Sequence, residues 1–174
     1  MRSRKSIKLE RDISNWLKDI QEIKEIFQKK SKTIIEYIER IVDLNKNKDE
    51  KIFLMTGLED AIYVLENKTF EKLNNILEDI LGNELDENKE IIKMFNYLKN
   101  FKNELASIQI STKNFLKIYN LNNDNTEILS NFISSIKKSK DSYETILSQM
   151  NESFSNVINY LNKQYQFSRQ VDII

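Results

Sequence analysis

Residues 13–44, ISNWLKDIQEIKEIFQKKSKTIIEYIERIVDL, decide how this chain folds. Ile13, Ile20, Phe27, Ile34 and Ile41 recur at intervals of seven, and three residues after each stand Trp16, Ile23, Lys30, Tyr37 and Leu44. Lys30 is the one charged residue in the set, so the segment reads as the a/d seam of a helix packed lengthwise on other helices.

The rest of the chain repeats the pattern. Downstream of a polar loop at 45–48, Met55, Leu58, Ile62, Leu65, Thr69, Leu73, Ile76 and Ile80 form a second seam. Its two consecutive steps of four, Leu65 to Thr69 to Leu73, predict a local unwinding of the supercoil, with a bend or break at 67–69. A third seam runs through Ile91, Met94, Leu98, Phe101, Leu105, Ile108, Thr112, Phe115 and Tyr119. A fourth carries Leu129, Phe132, Ile136, Tyr143, Ile146, Met150, Val157, Tyr160, Phe167 and Val171. Asn47 with Glu50, and Asp124 with Glu127, have capping-box spacing; Asp86 is the expected cap of the third helix, and Gly82 the expected left-handed terminator of the second. The expected helices are 6–45, 48–81, 86–119 and 125–170, with a basic tail over 1–5. Short loops between long helices force each to reverse on the last, which predicts an all-α, antiparallel up-down-up-down four-helix bundle with coiled-coil-like packing and a single domain over 1–174.

Composition agrees. The 174 residues contain no proline and two glycines, so the residues that punctuate turn-rich β folds are nearly missing. Hydrophobic residues make up 40%, enough for a core of this size. The abundance of Ile, Lys and Asn fits an AT-rich coding sequence and carries no mechanistic weight. The longest uninterrupted apolar run, Ile52 to Met55, is too short for a membrane span or a signal-peptide core, and the expectation for the chain as given is a cytoplasmic protein.

Charge and side-chain chemistry narrow the function. Basic and acidic side chains balance at 27 each, so no whole-molecule field points to nucleic acid or an anionic membrane. Cysteine and histidine are both absent. That excludes disulfides, thiolate metal sites, a ferritin-like di-iron site built on Glu-x-x-His, a phospho-accepting imidazole and histidine-ligated haem. No acid falls on an assigned core position, and paired carboxylates would need a partly apolar cleft to separate their pKa values. The run at 122–127 lacks the alternating ligands and central glycine of a calcium loop. No catalytic residue, metal, cofactor or small-molecule substrate is expected.

Two surfaces remain. Arg2, Arg4, Lys5, Lys8 and Arg11 make the N-terminus basic, and the bundle topology places them near Glu78, Asp79, Glu84, Asp86, Glu87 and Glu90, which would satisfy them within the chain. Lys137, Lys138 and Lys140 form a smaller basic group. At the other terminus Tyr160, Leu161, Tyr165, Phe167, Val171, Ile173 and Ile174 extend beyond the cover that Ile7 and Leu9 provide, and apolar surface of that kind marks a contact with another chain. The expected function is therefore a non-enzymatic scaffold, adaptor or effector module. It would bind a protein partner or self-associate through a bundle face or this C-terminal overhang. The competing expectation is a membrane-surface or nucleic-acid-associated protein using the basic stretch, nucleic acid being disfavoured because no aromatic is interleaved with those cations.

Overall fold

With no proline to interrupt it, the first helix, α1, runs unbroken over Arg4–Ile41. The computed structural model describes residues 3–83, 85, 88–121 and 126–170. After α1 come α2 (Lys48–Val64), a π-helical turn (Leu65–Phe70) and α3 (Glu71–Gly82), which together form one continuous rod, then α4 (Lys89–Leu121) and α5 (Thr126–Gln170). Among the described residues there is no strand. α1 packs on α2 and α5, and α4 packs on α5 and on the α2–α3 rod, so the rods close into a square. Side-chain pairs show the antiparallel order of α1 and α5: Glu10 meets Tyr165 (3.3 Å), Gln28 meets Asn151 (3.3 Å) and Glu39 meets Lys140 (3.1 Å). Glu59 of α2 pairs with Lys113 of α4 at 3.3 Å.

The caps are partly those the sequence predicts. Asn47 accepts from the Glu50 backbone N–H at 2.8 Å and starts α2, while the Glu50 carboxylate pairs with Lys46 (3.9 Å). Ser3 caps α1, accepting from the Ser6 N–H at 3.1 Å, so helix begins at Arg4 where a tail over 1–5 was expected. Gly82 is the last helical residue; Asn83, at φ −90° and ψ 6°, carries the C-cap without entering the left-handed region. Its backbone N–H and side-chain amide instead donate to the Ile80 and Asp79 carbonyls. The predicted caps Asp86 and Asp124 lie outside the described residues.

The seam of α1 shifts halfway along. Ile13, Trp16, Ile20, Ile23 and Phe27 are buried as expected, but the series continues through Ser31, Ile34, Ile38 and Ile41. Lys30 and Tyr37 are half-buried and Leu44 is exposed. Ile23, Phe27 and Ser31 are successive steps of four, a stutter that unwinds the supercoil locally. Turning Ser31 inward costs far less than burying an ammonium, and Lys30 lays its stem along the core edge instead.

The second rod meets the same level of the bundle by a different device. At the predicted irregularity stands a wide π turn: Thr69 donates its hydroxyl to the Val64 carbonyl five residues back (3.3 Å), and helical residues run without a break into α3. The extra residue lets both Thr69 and Phe70 face inward. Phe70 meets the Phe101 ring edge-on, with 5.3 Å between centroids, and lies 6.3 Å from Phe27. Phe27 lies 4.9 Å from Phe101 and 5.3 Å from Phe154, and Tyr143 closes the layer at 5.0 Å from Phe101. Every rod contributes a ring to this mid-bundle layer.

Gly57 lets α1 and α2 approach. A Cβ there would stand 2.7 Å from Cζ of Tyr37. Ala is better than Gly in a helix interior by about 1 kcal/mol, yet Gly57→Ala is expected to destabilise the protein by about that amount, because the Tyr37 ring must leave its place. In a Tyr37→Ala background the same substitution should stabilise. A urea double-mutant cycle reads the change of sign, and equal effects in both backgrounds would show that the ring moves freely.

Candidate functional site

The C-terminal overhang is shorter than the sequence implies. Tyr160 and Leu161 belong to the core, at 8% and 0% exposure, and cannot present surface to a partner. The reason is register. Glu10 sits opposite Tyr165 and Arg169, so the first turns of α1 run beside the end of α5 and cover it. The half-buried Tyr165 donates its hydroxyl to Glu10 Oε1 (3.3 Å), Arg169 pairs with Glu10 at 3.7 Å, and the Arg169 guanidinium lies 5.8 Å from the centre of the Tyr165 ring. Ser168 is buried and donates to the Tyr165 carbonyl at 2.8 Å. Of the predicted interface, Phe167 alone stands well exposed among the described residues, at 61%; Val171, Ile173 and Ile174 fall outside them.

The basic stretch is exposed throughout. Arg4, Lys8 and Arg11 follow one another at helical spacing on the face of α1 turned away from Ile13, with Lys5 beside them; Arg2 lies outside the described residues. None of the four forms an ion pair among the described residues. Of the expected acidic counterparts, Glu90 pairs with Lys93 (3.9 Å), Glu78 accepts from Asn74 (3.1 Å), Asp79 is exposed and makes no ion pair among the described residues, and Glu84, Asp86 and Glu87 are outside the described set. In the smaller basic group, Lys140 is tied to Glu39 (3.1 Å) and Glu144 (3.8 Å), and its hydrogen bond to Glu39 raises its pKa.

The opposite end of the bundle holds the feature that sequence reasoning missed. Lys51, on the first turn of α2, is completely buried. Its ammonium donates to the Ile41 and Asp43 carbonyls at the end of α1, and it lies over the rings of Phe115 (5.3 Å) and Tyr119 (5.0 Å) of α4. Tyr119 in turn donates its hydroxyl to the Lys46 carbonyl (3.2 Å). An ammonium suits this place because the last carbonyls of a helix carry the negative end of its dipole and ring faces attract cations. Burial nonetheless dominates and pushes the lysine down from 10.5 to about 8. The signal was in the sequence: Lys51, Leu54, Met55 and Leu58 have the spacing of one buried helical face.

Around Lys51, apolar side chains point outward at the same end. Leu44 (47% exposed), Ile52 (47%), Phe53 (77%) and Leu121 (71%) lie on the α1–α2 connection, the first turns of α2 and the last turn of α4.

Other polar groups offer little chemistry. Between α2 and α4 a groove of about 340 Å³ is lined by Glu59, Asp60, Glu66, Tyr63 and Lys113; Glu59 is committed to Lys113, and the groove is open to water along its length. The buried hydroxyls of Ser31 and Tyr143 face each other without a well-formed hydrogen bond, and burial raises the Tyr143 phenol above its ordinary value of 10. Among the described residues, no three Asp or Glu side chains converge to hold a metal ion, and no helix is long and apolar enough to cross a membrane. Comparison with protein-family models, with curated proteins and with solved structures finds no match to this chain.

Proposed function

We propose that the chain is a non-enzymatic helical-bundle interaction module. It binds a protein partner, or a second copy of itself, through the bundle end that carries Leu44, Ile52, Phe53 and Leu121. The observation that carries this reading is the exposure of those four side chains within one end, Phe53 most of all. A phenylalanine left in water forgoes about 1.5–3 kcal/mol that burial would return, and grouped exposure of this kind marks contact surfaces. Phe167 at the C-terminal end is a lesser candidate for the same role.

Replacing Phe53 and Leu121 together by serine tests the reading. Neither side chain supports the core, so helical content should hold and stability should change by less than about 0.5 kcal/mol per site. Self-association in light scattering, or recovery of the complex from the source cell, should be lost. Association that survives the double substitution assigns docking to another surface.

A second reading has an observation of its own. Arg4, Lys5 and Lys8 occupy the first turns of α1, which contain no acid in the first turn, although the positive end of the helix dipole disfavours cations there. Fold stability gives no reason for these residues, whereas contact with an anionic surface does. Retention on anionic vesicles that falls steeply with salt, and disappears when Arg4, Lys8 and Arg11 become glutamine, would favour it.

A further inference from the structure

The corner built on Lys51 joins α1, the 42–47 connection and α4 at one end of the bundle. The Ile41 carbonyl comes from the last turn of α1, the Asp43 carbonyl from the 42–47 connection, and the Phe115 and Tyr119 rings from α4, all gathered on one ammonium extending from α2. Lys51 therefore bolts the α1–α2 hairpin to α4, and the Tyr119 hydroxyl on the Lys46 carbonyl is the second bolt. We propose that Lys51 makes closure of this corner proton-sensitive: the corner opens more readily at lower pH and shuts as the pH rises.

The charged groups acting on the ammonium come from two sides. Asp43 of the connection and Glu50 of α2 favour its charge, and Lys46 of the connection opposes it; α4 faces it with the Tyr119 phenol and the Phe115 ring. The Asp43 carboxylate is partly occupied in its own turn, accepting from the Asn45 N–H at 3.0 Å. Burial outweighs these groups, and the closed corner holds its proton with a pKa of about 8. In an open corner the side chain reaches water and returns toward 10.5. The closed form thus binds fewer protons than the open form between those values, and rising pH favours it. Across that window the open-to-closed constant falls about tenfold per pH unit; below it, both forms are protonated and the constant is level. The covering layer is thin, because Lys51 lies one turn from the end of the bundle. Opening parts the 42–47 connection and Lys51 from Phe115 and Tyr119 at this end of the bundle, away from the mid-bundle aromatic layer.

Amide exchange in the full chain reads the device directly. The Val42, Asp43 and Lys46 amides donate to the carbonyls of Ile38, Arg40 and Asp43, and opening of the corner frees them to exchange. Over the pH range in which the Lys51→Arg amides still follow the intrinsic base-catalysed rate, so that reclosing outruns exchange, division by that rate gives the opening constant of these amides, which in the wild type should be level below pH 8 and fall about tenfold per unit above it. They should also exchange well before the Leu105 amide in the centre of α4. Lys51→Arg, which keeps its charge throughout, should stay level across the whole range. The inference is overturned if the wild-type constant is level through the window, if Lys51→Arg follows the wild type, or if corner and Leu105 amides exchange together. Should the variant not fold, titration of the Lys51 side chain by ¹³Cε chemical shift in the wild type decides: a midpoint well below the other lysines supports the device, and one among or above them overturns it.

Discussion

Phe27→Ala is expected to lower the free energy of unfolding by about 3–5 kcal/mol. Phe27 is fully buried and touches a ring from each of the other rods: Phe70, Phe101 and Phe154 at centroid separations of 6.3, 4.9 and 5.3 Å. Removing it deletes three aromatic contacts and leaves a cavity in the layer where α1 stutters and the second rod takes its π turn. Neither backbone device can relax independently to fill that space, because each is fixed by the rings on the other side. Phe27→Leu keeps most of the volume and should cost about 1.5 kcal/mol or less. Urea unfolding followed by far-ultraviolet circular dichroism should show both as shifts of midpoint at constant slope. A loss below 1 kcal/mol for the alanine variant would mean that the layer collapses readily and does not fix the register of the bundle.

The layer also shows which parts of the structure the heptads could and could not announce. Apolar spacing identified Ile13, Ile20, Phe27, Ile34 and Ile41, because a residue placed every seven positions must lie on one stripe whatever it packs against. It misassigned Leu44, which is exposed, and left Lys30 and Tyr37 at the half-buried edge, because the choice between adjacent positions depends on the partner helix. Ser31 turns inward opposite Tyr143, an arrangement that no single-helix pattern contains. The two successive steps of four at Leu65, Thr69 and Leu73 announced an irregularity, but a bend and a π turn satisfy such a spacing equally until the Phe70 ring has neighbours.

The candidate site was less legible for the same reason. A sequence does not state how far α1 reaches along α5, and that reach decides whether Tyr160 and Leu161 are covered; in the fold both are buried. Lys51 was passed over because a lysine on a helical stripe is ordinarily a solvated edge residue. What draws it inward is three-dimensional: two carbonyls at a helix end and two rings from α4, brought together by the turn at Asn47. Phe53 and Leu121 were equally unreadable, since an apolar residue beside a loop is as often covered as not.

Lys51 supplies the second large effect. At pH 7 Lys51→Ala is expected to cost about 3–5 kcal/mol, because it opens a cavity against Phe115 and Tyr119 and leaves the buried Ile41 carbonyl without its side-chain donor, while the Asp43 carbonyl keeps the Lys46 N–H. Lys51→Met restores the volume and offers a thioether to the rings, so its cost should be nearer 1–2 kcal/mol: the orphaned Ile41 carbonyl is offset by release from burying a charge. The two variants separate most clearly from the wild type in their pH dependence. The folded chain holds the Lys51 proton with a pKa of about 8, against 10.5 when unfolded, so between those values the unfolded state binds more protons and stability rises with pH. Below pH 8 both states are protonated and the burial penalty is felt in full. Tyr143 acts in the opposite sense: its folded pKa is raised, so its contribution is complete below its ordinary value of 10 and is lost above it. Wild-type stability should therefore climb by on the order of 2–3 kcal/mol from pH 8 toward pH 10 and then decline. In Lys51→Met the climb should vanish while the decline above pH 10 remains, so the cost of the substitution grows with pH. Urea titrations at pH 7, 8, 9 and 10 measure this. If the wild type and Lys51→Met run parallel over that range, the ammonium is solvated in solution and does not hold the corner from within.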